Sequence, residues 1–76
     1  MSPEQSRAAR GWLGWSQADL ATKAKVSIST VRAFEANRHV TTVANLEAMR
    51  RVIEDAGIGL LFQDDGRPRG IETKSR

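Results

Sequence analysis

Few groups in this sequence can make or break bonds. Its 76 residues hold one histidine, His39, and neither cysteine nor tyrosine. Without cysteine there is no disulfide and no thiolate metal site, and a lone histidine lacks the further ligands a metal needs. No nucleophile stands beside a base. An enzyme is not expected, nor any cofactor. What the sequence does offer is positive charge and hydrogen-bond donors. In residues 1–40, Arg7, Arg10, Lys23, Lys25, Arg32 and Arg38 meet only Glu4, Asp19 and Glu35, an excess of +3. Residues 41–63 carry −1 and residues 64–76 carry +1. A sequence pI near 10.2, with the base gathered in one half, suits a polyanionic partner.

Those charges need a scaffold, and the chain is long enough for one small domain. Such a domain buries roughly 60% of its extended surface, so its core is thin and a second copy would help it. Hydrophobic residues at 39% and charged residues at 28% fit a globular chain rather than a disordered one. No apolar run approaches the roughly 18 residues of a membrane span. No signal-peptide core follows Met1, so a cytoplasmic protein without a membrane partner is expected.

Ser2-Pro3-Glu4-Gln5 opens the first helix with a cap, a proline at the first turn and a capping-box glutamine. Ala9, Trp12 and Leu13 fall at inward-facing spacing, Gly11 weakens the helix, and Gly14 ends it. Ser16 caps a second helix, with Asp19 in its first turn and Leu20, Ala21 and Ala24 as its inner stripe. That helix must be short. Ser27-Ile28-Ser29-Thr30 reads as a new start after only Lys25 and Val26. Val31 and Phe34 face inward from the third helix, which fades at Ala36-Asn37. Thr41 or Thr42 caps the longest helix, about Val43 to Ala56, with Val43, Leu46, Met49, Ile53 and Ala56 on one face. Gly57 stops it. Ile58 to Gln63 reads as a strand, Asp64 to Gly70 as a loop, and Ile71 to Lys74 as a returning strand that makes a hairpin.

The second and third helices, with a tight turn between them, form a helix-turn-helix. Ala21 supplies the small residue where they cross, and Leu20, Ala24, Val26, Val31 and Phe34 the apolar contacts that hold the angle. Gln17 stands at the exposed start of the second helix, where free N–H groups and the helix dipole suit a phosphate. With Val31 and Phe34 inward, Ser29, Arg32 and Ala33 point outward. Ser27 and Ile28 lie at that helix's exposed beginning.

Residues 7–57 resemble the phage repressor and Cro-type helix-turn-helix family (the XRE family). The resemblance rests on Arg10, on Leu13-Gly14-Trp15-Ser16-Gln17-Ala18-Asp19-Leu20-Ala21, on Val26-Ser27-Ile28-Ser29-Thr30-Val31, and on Phe34-Glu35. It implies a mainly α, lambda-repressor-like domain of four or five helices that binds operator DNA as a homodimer. Residues 1–57 form that domain, with the motif at 17–36. Residues 58–76 are a short strand or hairpin that is similar to the tails of some small bacterial members. Two positions depart from the family pattern. Lys25 holds the turn position usually given to glycine, and Asn37 replaces the glycine after the recognition helix.

By this resemblance Ser27, Ile28, Ser29, Arg32 and Ala33 enter the major groove. There Arg32 can take a guanine bidentately and the serines can reach either base edge. Ile28 either touches a thymine methyl or is a semi-buried core residue. Gln17, Asn37 and Arg38 match positions that contact backbone phosphates, Ser16 is a further phosphate-contact candidate, and His39 in the same loop is either near a phosphate or simply exposed. Arg38 has the alternative of capping the preceding helix's negative end. Arg10 and Glu35 match a partly buried ion pair with a structural role. Trp12 and Trp15 read as core or core-edge residues. Ile58, Leu60 and Phe62 share a strand face and are the expected dimerisation element, unless the tail folds back on its own domain. The function implied is a nucleoid-associated repressor that reads an inverted repeat in double-stranded DNA with helix 27–36. The alternative is an antitoxin or interaction module that uses the same fold to hold a toxin or a partner regulator.

Overall fold

Each helix in the computed structural model, which describes residues 1–38 and 40–74, starts on a hydroxyl cap. Helix α1 spans Pro3–Leu13, α2 Gln17–Ala24, α3 Ile28–Glu35 and α4 Val43–Asp55. The caps are Ser2, Ser16, Ser27 and Thr42, so the second threonine of the Thr41-Thr42 pair is the one used. Ser2 and Gln5 form a reciprocal capping box at 2.9 and 3.1 Å. Ser16 and Asp19 form another, at 2.9 Å in both directions. Hydrogen bonds from Ser16 hold the Asp19 carboxyl below its ordinary pKa.

The first three helices stop in one way. A residue in the left-handed region reverses the chain, and the amide after it returns to a carbonyl in the last turn. Gly14, Lys25 and Asn37 take φ values of 70°, 58° and 57°. The returning bonds run from Trp15 to Arg10 at 2.9 Å, Val26 to Ala21 at 3.0 Å and Arg38 to Ala33 at 2.9 Å. Lysine at the second of these sites bears a conformational cost that glycine would not.

Strands β1, Ile58–Phe62, and β2, Pro68–Thr73, pair antiparallel as a two-stranded sheet. Ile58 faces Thr73, Leu60 faces Ile71 and Leu61 faces Gly70. The register breaks between Leu61 and Phe62, which brings Phe62 against Pro68. The second strand therefore begins at Pro68 rather than after Gly70. The turn is tighter than the run of turn-forming residues suggests. Gln63 N–H donates to the Arg67 carbonyl at 2.7 Å and Gly66 N–H to the Gln63 carbonyl at 2.9 Å, with Gly66 at φ 89°. Proline is tolerated because it lies on an edge strand.

Ala9, Leu20, Ala21, Ala24, Val31, Phe34, Met49, Ile53 and Ile58 make the core, so all four helices and the first strand contribute to it. This is the lambda-repressor-like arrangement, closed at one end by the hairpin. Three expected core residues lie outside. Trp12 is 62% exposed near the end of α1, past the buried residues Gln5, Ser6 and Ala9. Val43 is 79% exposed at the first residue of α4, a turn before the stripe reaches the core. Ala56 is exposed one residue past the end of α4.

Gln5 joins the hairpin to α1. Its side-chain oxygen closes the capping box while its Nε2 donates to the carbonyls of Leu61 and Gly70, at 2.8 and 3.0 Å. At 2% exposure, it has no water to replace those partners. Gln5→Ala is expected to cost about 1–3 kcal/mol in urea unfolding, with the hairpin amides losing hydrogen-exchange protection before the α2–α3 amides do. Lys25→Gly is expected to raise stability by about 0.5–1 kcal/mol in the same assay, because it relieves the left-handed backbone.

Candidate nucleic-acid interface

Helices α2 and α3 pack together, and Ala21 of α2 is 4% exposed, a small side chain that allows close backbone approach. Leu20 and Val31 are fully buried beneath this contact, with Phe34 closing its far end. Burying Val31 and Phe34 turns the opposite face of α3 to solvent. Ser27, Ser29 and Arg32 are exposed, while Ile28 and Ala33 are half-buried. Ile28 also packs against the core from one side. A shallow groove runs beside this face, between α3 and the start of α4, and takes in Ser29, Thr30, Ala33, Val40, Thr42 and Asn45.

The exposed polar groups are not equally free. The Ser27 hydroxyl accepts the Thr30 N–H at 3.1 Å and shares a hydrogen bond with the Thr30 hydroxyl at 2.9 Å. Its oxygen is committed to starting the helix. Ser29 and Arg32 have no side-chain hydrogen bond or ion pair among the described residues. Of the residues expected near phosphates, Ser16 is occupied by its capping box, and Asn37 and Arg38 are exposed just past α3. His39 lies outside the described residues. Gln17 is half-buried and its amide is turned inward, donating to Glu35 Oε1 at 3.1 Å.

Glu35 is where three elements meet. Its side chain is on the last residue of α3, and the residue is 3% exposed. Arg10 of α1 reaches it with Nε, at 2.9 Å from Oε2, and Nη2, at 2.7 Å from Oε1. The Ser6 hydroxyl donates to Oε2 at 2.5 Å. Arg10 also donates to the Trp15 carbonyl at 3.1 Å, and Arg7 to the Glu35 carbonyl. Burial opposes ionisation of Glu35. The bonds from Arg10, Ser6 and Gln17 outweigh it and hold the carboxyl below its ordinary pKa. The same pairing raises the pKa of Arg10, so the pair is charged throughout the physiological range.

The helix-turn-helix family model matches residues 7–54 of the chain. The chain belongs to the helix-turn-helix family of the phage repressor and Cro type. None of the curated proteins compared with it matches. As a family member it is a DNA-binding regulator of the XRE type, and the family is one of DNA-binding domains, not of enzymes. Among the described residues, no helix is long and apolar enough to cross a membrane.

For a helix-turn-helix protein, the Arg10–Glu35 pair fixes the end of the outward-facing helix against α1. The sequence pointed to that pair and missed its other members. Ser6 lies one turn before Arg10 on α1, a spacing that places both on one face, so that signal was available. The inward turn of the Gln17 amide had no sequence signal. Trp15 packs against the core edge with the Lys23 ammonium 5.0 Å from its ring centroid, which accounts for it without a base.

The expected dimerisation residues are split. Ile58 is 1% exposed and belongs to the core of its own chain, so it is not available to a second copy. Leu60 is half-buried against that core, and Phe62 is 46% exposed.

Because the folded pKa of Glu35 is depressed, its contribution to stability is present above the unfolded carboxylate range. It declines as pH falls below that range and is gone once pH passes the folded value. Glu35→Ala is expected to cost about 3–5 kcal/mol at neutral pH, leaving Arg10 buried without its partner. Urea unfolding followed from pH 7 down to pH 2 checks the sign. The difference between the parent and Glu35→Ala should shrink with acid, and a constant difference would contradict it.

Proposed function

We propose that the chain is a repressor that binds an inverted-repeat operator in double-stranded DNA as a homodimer, with α3 in the major groove of each half-site. The observation that carries this reading is Arg32. It stands exposed and without a protein partner among the described residues, on the outer face of a helix fixed by the Glu35 cluster. A guanidinium fork held on a rigid helix is suited to the O6 and N7 edge of guanine. Ser29 and Ala33 lie one turn apart on the neighbouring ridge. Exposed Asn37 and Arg38, just past α3, suit flanking phosphates and set the register without reading sequence. The +3 excess of residues 1–40 supplies the long-range attraction.

Two-fold pairing doubles the contacts and supplies affinity that one half-site rarely gives. The hairpin is the proposed contact between copies. Each strand has a single neighbour and therefore one unpaired edge, and Phe62 exposes its ring beside the turn. Repression is proposed over activation because it asks only that the protein occupy DNA. The nucleoid is then its place of action.

Arg32→Ala is expected to abolish most of the sequence preference while the circular-dichroism spectrum and urea midpoint stay within about 0.5 kcal/mol of the parent, as for an exposed residue. A competition gel shift against random duplex makes the comparison. Discrimination unchanged by the substitution would reject the assignment of α3 as the reading helix. Binding should also weaken steeply with salt, and the half-sites should lie about 10–10.5 base pairs apart, or a multiple of that.

A further inference from the structure

We propose that α3 reads a guanine adjacent to a pyrimidine that carries a 5-methyl group, with Arg32 on the guanine and Ile28 on the methyl. This rests on the DNA-reading function proposed above and names the base step that such a helix selects.

Several polar groups on and beside α3 already have partners within the protein. The hydroxyls of Ser27 and Thr30 are engaged with each other and with the helix cap. The Gln17 amide is engaged with Glu35. The Glu35 carboxylate, three residues beyond Arg32 and within reach along a helix, is taken by Arg10, Ser6 and Gln17. Among the described residues, Ser29 and Arg32 are then the polar side chains of α3 that make no hydrogen bond within the protein. A serine hydroxyl donates or accepts with any base, so it discriminates weakly. Arg32 brings two parallel donors, which match the two acceptors of guanine and no other base edge.

Ile28 precedes Arg32 by four residues, which puts the two side chains on one face with Cβ atoms about 5–6 Å apart. It is the first residue of α3, at the end presented to a groove floor. One side of it packs on the core and the other is open, so its apolar surface is held in place. Base pairs stack about 3.4 Å apart, and the long arginine stem spans the remainder. A guanine held by Arg32 therefore places the neighbouring pair under Ile28. In the major groove, thymine projects a 5-methyl group there, as 5-methylcytosine does. Cytosine offers an amino donor beside a bare C–H, which isoleucine cannot satisfy. The alternative of isoleucine facing a polar edge leaves a desolvated donor without a partner.

The test begins with selection of bound sequences from a random duplex library by the full chain at one fixed salt concentration. A thymine beside the enriched guanine is then replaced by uracil, by cytosine in a C·G pair, and by 5-methylcytosine in the same pair. Loss of the methyl in the uracil duplex should weaken binding about four-fold, as expected for one buried methyl group. Cytosine should be at least as weak, and 5-methylcytosine should recover about four-fold over cytosine. Replacing the guanine with 7-deazaguanine should cost roughly ten-fold in the parent and nothing in Arg32→Ala. Ile28→Ala should bind the thymine and uracil duplexes equally. The base-analogue arms stand without that variant should it fold poorly. An enriched guanine indifferent to its neighbour's methyl, or a consensus without guanine, overturns the proposal and leaves DNA reading intact. Salt-dependent binding with no enriched sequence overturns any base reading by α3. Absence of binding overturns the proposed function together with it.

Discussion

A single buried carboxylate orients this domain. Glu35 draws donors from Ser6 and Arg10 on α1 and from Gln17 at the start of α2, while being itself the last residue of α3. Removing a carboxylate from water costs several kcal/mol, and only a full set of donors offsets that. The set is full here, and no buried side-chain nitrogen or oxygen among the described residues lacks a partner. The consequence is directional. Apolar contacts in the core tolerate sliding, whereas Arg10 meets Glu35 at 2.7 and 2.9 Å in one geometry only. The angle of α3 is thus set by hydrogen bonds and its depth by packing.

Helix α1 serves two neighbours through consecutive residues. Gln5 holds the hairpin by the carbonyls of Leu61 and Gly70, and Ser6 holds α3 by Glu35. Both are almost fully buried, and both are polar where a sequence pattern leads one to expect apolar residues. The inward face of α1 therefore departs from an apolar stripe at its first turns. The two contacts also explain how a chain of 76 residues keeps six elements together. Local reversals at Gly14, Lys25 and Asn37 return the chain within one residue each.

What could be read in advance follows from how local the cause is. The caps at Ser2, Ser16 and Ser27, the stop at Gly14 and the reversal at Asn37 depend on neighbours within four residues, and the sequence displays them. The inner stripes of α2 and α3 and the hairpin were legible for the same reason. The start of β2 was not, because Pro68 joins the strand through a register break decided by the tight bonds of the turn. Val43 and Ala56 obey the period of α4 but lie where no other element reaches, which periodicity does not report. At the candidate site, the residue types on α3 were visible. Which of their hydroxyls remain free depends on the Ser27–Thr30 bond, a product of the folded helix end.

The buried cluster and the exposed arginine are two sides of one arrangement. Arg32 and Glu35 are three residues apart on one helix, a spacing at which opposite charges commonly pair on a surface. Were Glu35 free, it could pair with the guanidinium of Arg32, and its charge would oppose phosphate. Arg10 and Ser6 draw that carboxylate to the inner side of α3, where its charge is balanced by a guanidinium that is only 17% exposed. The outer side is left with a cation and no compensating acid among the described residues. The pair therefore does more than fix an angle. By holding the negative charge inward it leaves the exposed face of α3 positive, the sign that suits a polyanionic partner.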